Sequence, residues 1–507
     1  MSQVYVAGVY GTQPLNKSPL LISLVDVRLK HRLRTAQDQL NVPTTRATEP
    51  GPTSVPPDRL HHDPVSAVGN IERLRKIPIT AQLTQRNQRT GHIAPHPGAS
   101  VLQLANQWCI ILHMTSAAPG PIPQAARRPY LDGIRALAAL YVLVHHAFMT
   151  VYPVREFGVI EGWVGKAFGW ALWGHFGVTV FIVLAGYSLT LGLAKHDGNM
   201  PTGFWGFLRR RTMRIVPPYW AALALTVVLV VTYIGKPTGT HWDLSVGTGT
   251  REWLVNSMLL QDIIPVRNAA YTFWSVAVEY HIYLMLPLLL IIWRLTNWKI
   301  SAIFGASIGI IGILIAEFVD SRFDRLFPEY YLLFSLSVTA CIARHKIPDR
   351  MRRTPWTLVG AAFFIPFIIL ITTKDYTWTK ENYNWIDLLV GISIICLILS
   401  LECNHTPNIT RILTLRPLPF VATFSYSLYL IHAPLLQAFW QSLIQPLRLT
   451  QELQLAAIWL AVLPLICLIS YAFYRVFEKP FTPSSYKKID APKVEKGTAS
   501  DKDADRK

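Results

Sequence analysis

The sequence predicts an all-α integral membrane protein of about ten transmembrane helices, N-in and C-in, with disordered termini. Three observations carry that reading. Hydrophobic residues make up 51% of the chain and charged ones only 15%, which is too apolar for a soluble protein of 507 residues. The apolar residues are bunched into ten runs long enough to span: 131–151, 172–194, 217–235, 272–293, 300–319, 328–343, 356–373, 385–401, 419–440 and 454–477. With the N-terminus inside, the inner loops and ends, from Arg127 to Lys488, hold about twice the Lys/Arg of the outer loops.

The densest inner clusters are Arg209, Arg210, Arg211 and Arg214, then Arg344, Lys346, Arg350, Arg352 and Arg353. The net charge of +18 is therefore read as a topology signal, with membrane lipids and not nucleic acid as the expected partner. The sixth run is short and bounded by Pro328, and is the weakest of the ten.

Residues 1–125 are rich in Pro, Thr, Gln and Arg and lack sustained periodicity, so they read as a poorly ordered cytoplasmic extension. Within them PLLISLV (Pro19–Val25) has no clear cleavage site, and WCIILHM (Trp108–Met114) is too short to span. Residues 126–481 form the multi-span domain. Residues 482–507 read as a disordered charged tail. The five cysteines, Cys109, Cys341, Cys396, Cys403 and Cys467, show neither metal nor redox spacing, so no disulfide framework and no metal site is expected. The longest loop of the core, 236–271, is outer and carries Trp242, Arg251, Glu252, Trp253 and Asp262. It is a candidate wall for an acceptor site. The sequons at Asn404 and Asn408 fall in an inner loop, so neither is expected to carry a glycan.

Polar residues inside the runs carry the chemistry, because an ionisable group in a membrane is costly and usually faces a cavity or partner. Arg135 and His146 are eleven residues apart on the first span. At about 100° per residue they return to within about 20° of one another, separated by roughly 16 Å along the axis. His145 points about 100° away. A neutral imidazole can accept a proton from an attacking alcohol. The plainer alternatives are an interhelical hydrogen bond for His146 and snorkelling for Arg135. Arg211 and Arg214, at i and i+3, share a face. Arginines at a membrane edge are usually anchors, yet guanidinium groups also bind phosphate bidentately. Pro217 and Pro218 are expected to bend or restart the helix, freeing backbone N–H groups towards an anion.

Glu279, an acid within YTFWSVAVEYHIYLMLP (Tyr271–Pro287), requires a His or Arg partner. His281 faces elsewhere. His432 lies in the ninth run. Counting from the span ends puts His146, Glu279 and His432 in the outer half of the bilayer and Arg135, Arg211 and Arg214 at its inner edge. The gap of roughly 16 Å is comparable with an extended pantetheine arm, so an inner acyl-CoA held by its phosphates would present its thioester deep in the membrane.

With these motifs in place the sequence resembles the membrane acyltransferase-3 family. LDGIRALAALYVLVHHA matches its first-span pattern of Arg, ten residues and His, which selects His146. FGVTVFIVLAGYSLTL (Phe176–Leu191) resembles its Gly-rich second span. RRTMRIVPPYW (Arg210–Trp220) carries its Arg-x-x-Arg on Arg211 and Arg214. Trp274, Ser275 and Glu279 match its Trp-Ser…Glu segment, and FSYSLYLIHAPLL (Phe424–Leu436) its late Ser-Tyr…His-x-Pro segment. The resemblance implies transfer of an acyl group, often acetyl, from acyl-CoA to a hydroxyl of a carbohydrate, lipid or small metabolite. His146 would be the base and Arg135, Arg211 and Arg214 would hold the donor phosphates. Glu279 would orient or pair with a catalytic His, and His432 would complete the catalytic set. The family pattern does not need residues 1–125. The large soluble C-terminal domain of some polysaccharide-modifying members has no counterpart here, which favours a small lipophilic acceptor. A proton-coupled transporter of a polar metabolite would use the same His and Glu as a relay, but no internal repeat or paired broken helices accompany them. A silent scaffold fits the full Arg/His/Glu set less well.

Overall fold

The computed structural model describes residues 128–153, 162–200, 202–245 and 249–482. The expected N-terminal extension and nearly all of the charged tail lie outside these residues. The described residues are helical, with no strand among them.

Helix α1 (Pro129–Val151) begins on a proline, whose fixed φ and missing N–H suit the first helical position. It runs through the middle of the bundle: 67% of its apolar window is buried. Gly133 makes this possible at one end. A Cβ there would stand 2.0 Å from the Leu413 carbonyl oxygen, so only glycine lets the short helix Pro407–Leu413 close against α1.

A 3-10 turn, Gly169–Trp173, leads into α2 (Phe176–Thr190). Helix α3 (Gly203–Leu229) then runs unbroken through Pro217 and Pro218. The expected restart at the prolines does not occur. A proline removes a donor rather than freeing one, so any anion here must be held by side chains.

The predicted span 272–293 is two helices, α4 (Phe273–Ile282) and α5 (Met285–Leu295). Pro287 has no N–H to offer the Tyr283 carbonyl, and the ladder breaks there. Then follow α6 (Trp298–Phe318), α7 (Pro328–Lys346), α8 (Trp356–Thr373), α9 (Tyr383–Glu402), α10 (Ser425–Phe439) and α11 (Leu463–Phe473).

Among the described residues eight helical segments are long and apolar enough to cross a membrane, against the ten expected. The difference falls on α7 and α10. Both are interior helices that bury Glu329, Ser335 and Ser337, and Ser427, His432 and Gln437 respectively. Their polar residues face protein, so their composition is freed from the demands of lipid contact. Helix α8 is the opposite case, with 6% of its apolar window buried and Leu358, Ile365 and Ile369 exposed.

Turns gather on two faces. On one, Arg128 pairs with Glu402 at 3.1 Å, Tyr130 donates to the same carboxylate, Arg344 reaches the Glu402 carbonyl at 3.2 Å and Lys346 pairs with Asp197. On the other, Gln451 donates to the Val151 carbonyl at 3.1 Å. There Gln437 of α10 also binds two threonines of the 236–271 loop, accepting from Thr240 at 3.0 Å and donating to Thr238 at 2.9 Å.

That loop folds back into the bundle. Trp242, Ala269, Ala270 and Thr272 are each at most 1% exposed. Asn256 fixes the return, donating to the Arg267 carbonyl at 3.0 Å and accepting from the Ala269 N–H at 3.0 Å. Helix α4 therefore starts among buried residues.

Candidate functional site

A cavity of about 350 Å³ opens between α1, α2, α3, α4 and α10. Its charged lining is Arg128, Asp132 and Arg135 from α1 and its start, Arg211 and Arg214 from α3, Glu279 from α4, and Glu478. The i, i+3 spacing on α3 does bring Arg211 and Arg214 to one cavity. Their neighbour Arg210 instead donates to the Thr202 hydroxyl. Arg135 is paired with Asp132 of the preceding turn at 3.2 Å. Arg211 lies 5.9 Å from the centre of the Phe207 ring, and its Nε is buried without a hydrogen-bond partner. A buried donor left open beside a second guanidinium is the arrangement that an oxyanion would satisfy.

Glu279 corrects the expected layering. It lines the cavity with the three arginines and accepts a hydrogen bond from Tyr283 of its own helix break. Arg214, Arg135 and Arg211 are the cations that act on it. The carboxylate therefore shares its cavity with arginines and not with a histidine. A second carboxylate, Glu478, accepts from the Ser427 N–H at 3.1 Å and its hydroxyl at 2.6 Å.

The histidines cluster apart from this cavity. The rings of His146 and His432 lie 5.3 Å apart at 29° to each other, and His146 also meets His241 at 5.6 Å and Tyr271 at 4.5 Å. Helix α1 brings His146, α10 brings His432, and the re-entering loop brings His241 and Tyr271. The Nδ1 of His432 sits 3.0 Å from the Leu428 carbonyl and 2.9 Å from that of Tyr429. A carbonyl only accepts, so this nitrogen carries the proton and Nε2 presents a lone pair. That Nε2 and the Nδ1 of His146 are both buried without a partner. His145 differs. Its Nδ1 is bound to the Ala171 carbonyl at 2.8 Å, and its ring fills the space left by Gly174.

Tyr429, hydrogen-bonded to Ser275, links the cavity to the histidine cluster. Both line the arginine cavity, and the Tyr429 ring contacts that of His432 at 5.8 Å. Among the described residues no group of His, Cys, Asp and Glu is arranged to hold a metal ion.

Sequence reasoning passed over several of these residues. His241 had no signal beyond its place in the long loop, since only folding carries it to His146. Of the loop residues it did name, Asp262 is taken up by His281 at 2.7 Å, and Trp242 donates to the Ile234 carbonyl at 3.0 Å. Asp387 did carry a signal, being an acid in an apolar run like Glu279. It is fully buried, 2.9 Å from His175 and accepting from Thr179.

Residues 128–475 match a family model described as an acyltransferase domain. The chain is 22% identical over 378 residues to the peptidoglycan O-acetyltransferase OatA of Listeria monocytogenes, covering 71% of this chain and 56% of the relative. It is 24% identical over 383 residues to the Bacillus subtilis protein named "Putative peptidoglycan O-acetyltransferase YrhL", covering 71% and 55%. The chain thus spans about half the length of the curated relatives it matches. No solved structure matches it. A match across most of the helical bundle makes this chain a member of the acyltransferase-3 family.

Proposed function

We propose that the chain is a membrane O-acyltransferase that moves an acyl group, acetyl in the simplest case, from acyl-CoA to a hydroxyl of a small metabolite, lipid or carbohydrate. The observation that carries this reading is an arginine-lined cavity that shares Tyr429 with a cluster of buried imidazoles. Its volume falls within the range of about 300–1,000 Å³ typical of ligand pockets.

In this reading Arg211, Arg214 and Arg135 bind donor phosphate, and the arm of the donor runs along α1 for the roughly 16 Å that separate Arg135 from His146. His146 takes the proton of the acceptor hydroxyl as its oxygen attacks the thioester carbon. The carbon–sulfur bond then breaks and the leaving thiolate recovers that proton. His432, with its tautomer fixed by two backbone carbonyls, offers a second lone pair beside His146. Glu279 and Glu478 offset part of the guanidinium charge while the donor is absent, which keeps a cluster of buried cations tolerable. The 236–271 loop, which brings His241 and Tyr271 against His146, is the segment past which the acceptor would enter.

The test is direct. Detergent-purified full-length protein is incubated with acetyl-CoA radiolabelled in the acetyl group and a panel of hydroxyl compounds extracted from the host membrane. Transfer of label to an alkali-labile ester supports the reading. Absence of both binding and turnover, with proton-coupled substrate movement in reconstituted vesicles, would replace it with a transporter.

A further inference from the structure

We infer that Ser275 and Tyr429 are the hydroxyl pair that holds the donor's carbonyl oxygen, an inference that rests on the acyl-transfer reading above. Three observations meet at these residues. Their hydroxyl oxygens are 2.5 Å apart although they belong to different helices, α4 and α10. Both side chains line the arginine cavity, yet Tyr429 also touches His432, so the pair stands where a donor arm leaves the cations and reaches the imidazoles. Both are buried, at 5% and 8% exposure.

Their present hydrogen bonds are poor ones to keep. Each hydroxyl has a single proton. Beyond one another, their shared acceptor is the Thr272 carbonyl, at 3.2 Å from each, long for O–H···O. One proton therefore serves the partner hydroxyl and the other a stretched contact. A carbonyl oxygen arriving beside the pair would be a better acceptor for both, and an oxyanion better still. The Tyr429 ring is held for this by the edge of Phe181 at 5.9 Å.

The step balances as follows. The acceptor oxygen adds to the thioester carbon while its proton passes to His146. The carbonyl π pair moves onto the oxygen faced by Ser275 and Tyr429. Return of that pair expels CoA as a thiolate, which takes the proton from His146, and no further reactant is consumed.

Two CoA analogues test this without knowledge of the acceptor. One is a ketone with CH2 in place of the thioester sulfur, and the other is the matching alkyl compound without the carbonyl. Wild type should bind the ketone about 2- to 12-fold tighter by titration calorimetry, the span expected of one ordinary hydrogen bond. In Ser275→Ala/Tyr429→Phe the ratio should fall to about one while affinity for the alkyl analogue is kept, because the arginines are untouched. Ser275→Ala alone is read the same way if the double variant does not fold. A wild type that shows no preference, or a variant that keeps it, overturns the inference and leaves the acyl-CoA reading standing. A wild type that binds neither analogue overturns both.

Discussion

Tyr283 donates a hydrogen bond to Glu279 across the break between α4 and α5, and this contact holds the carboxylate among Arg135, Arg211 and Arg214 instead of beside a histidine. In the acyl-transfer reading Glu279 is thus a counter-charge to these arginines. Glu279→Gln should leave the pH profile of kcat in place and change the KM for acyl-CoA, since removing an anion from beside three cations strengthens their field on phosphate. A moved pH profile with unchanged KM would return the carboxylate to the histidines.

His146→Ala should abolish acyl transfer with expression and insertion intact, a loss of about 10²–10⁴-fold for a general base. His145→Ala should retain substantial activity, because its Nδ1 is committed to the Ala171 carbonyl. Label transfer from acetyl-CoA measures both. Equal losses would show that the eleven-residue stripe does not select the base.

Arg211→Ala and Arg214→Ala should each raise the KM for acyl-CoA by roughly 10- to 150-fold, from about 1.5–3 kcal/mol per charge-assisted contact, when binding is at rapid equilibrium. Arg→Lys should recover only part, since an ammonium lacks the planar fork. If the arginines are membrane anchors, monodisperse mutant protein would bind donor normally.

His241 lies outside the membrane-crossing helices, and burial pushes its imidazole down from 6.5 to about 3, with the charges of His145 and Lys380 acting in the same direction. Its proton is therefore bound more readily by the unfolded chain. The stability it permits is full above about pH 6.5 and is lost as pH falls from there towards 3. Melting temperature between pH 7.5 and 4.5 should fall further for wild type than for His241→Gln. Parallel curves would mean that His241 is not confined as described.

The loop bearing Asn404 and Asn408 lies on the face that carries Arg344, Arg352 and Glu402. It should be cytoplasmic, as the charge asymmetry requires. Cysteine labelling in sealed vesicles or a glycosidase mobility shift reads this, and a glycan at either sequon would invert the topology.

The sequence by itself determined that the chain is a helical membrane protein, where most helices run, and which cations share a face. Those properties follow from local quantities: the length of apolar runs, the 3.6-residue period and the placement of lysine and arginine. Hence Arg211 and Arg214 were legible as a pair, and Arg135 and His146 as a stripe. The interior helices α7 and α10, both read as spans from the sequence, are not among the segments apolar enough to cross a membrane, because their surroundings are protein and not lipid. Only the tertiary structure decided that the loop 236–271 re-enters the bundle. That re-entry delivers His241 and Tyr271 to His146, and the assembly of the bundle places Glu279 in one cavity with the arginines. It also decided that Ser275 and Tyr429 meet. Such meetings depend on contacts between residues far apart in the chain, and no periodicity within a single helix encodes them.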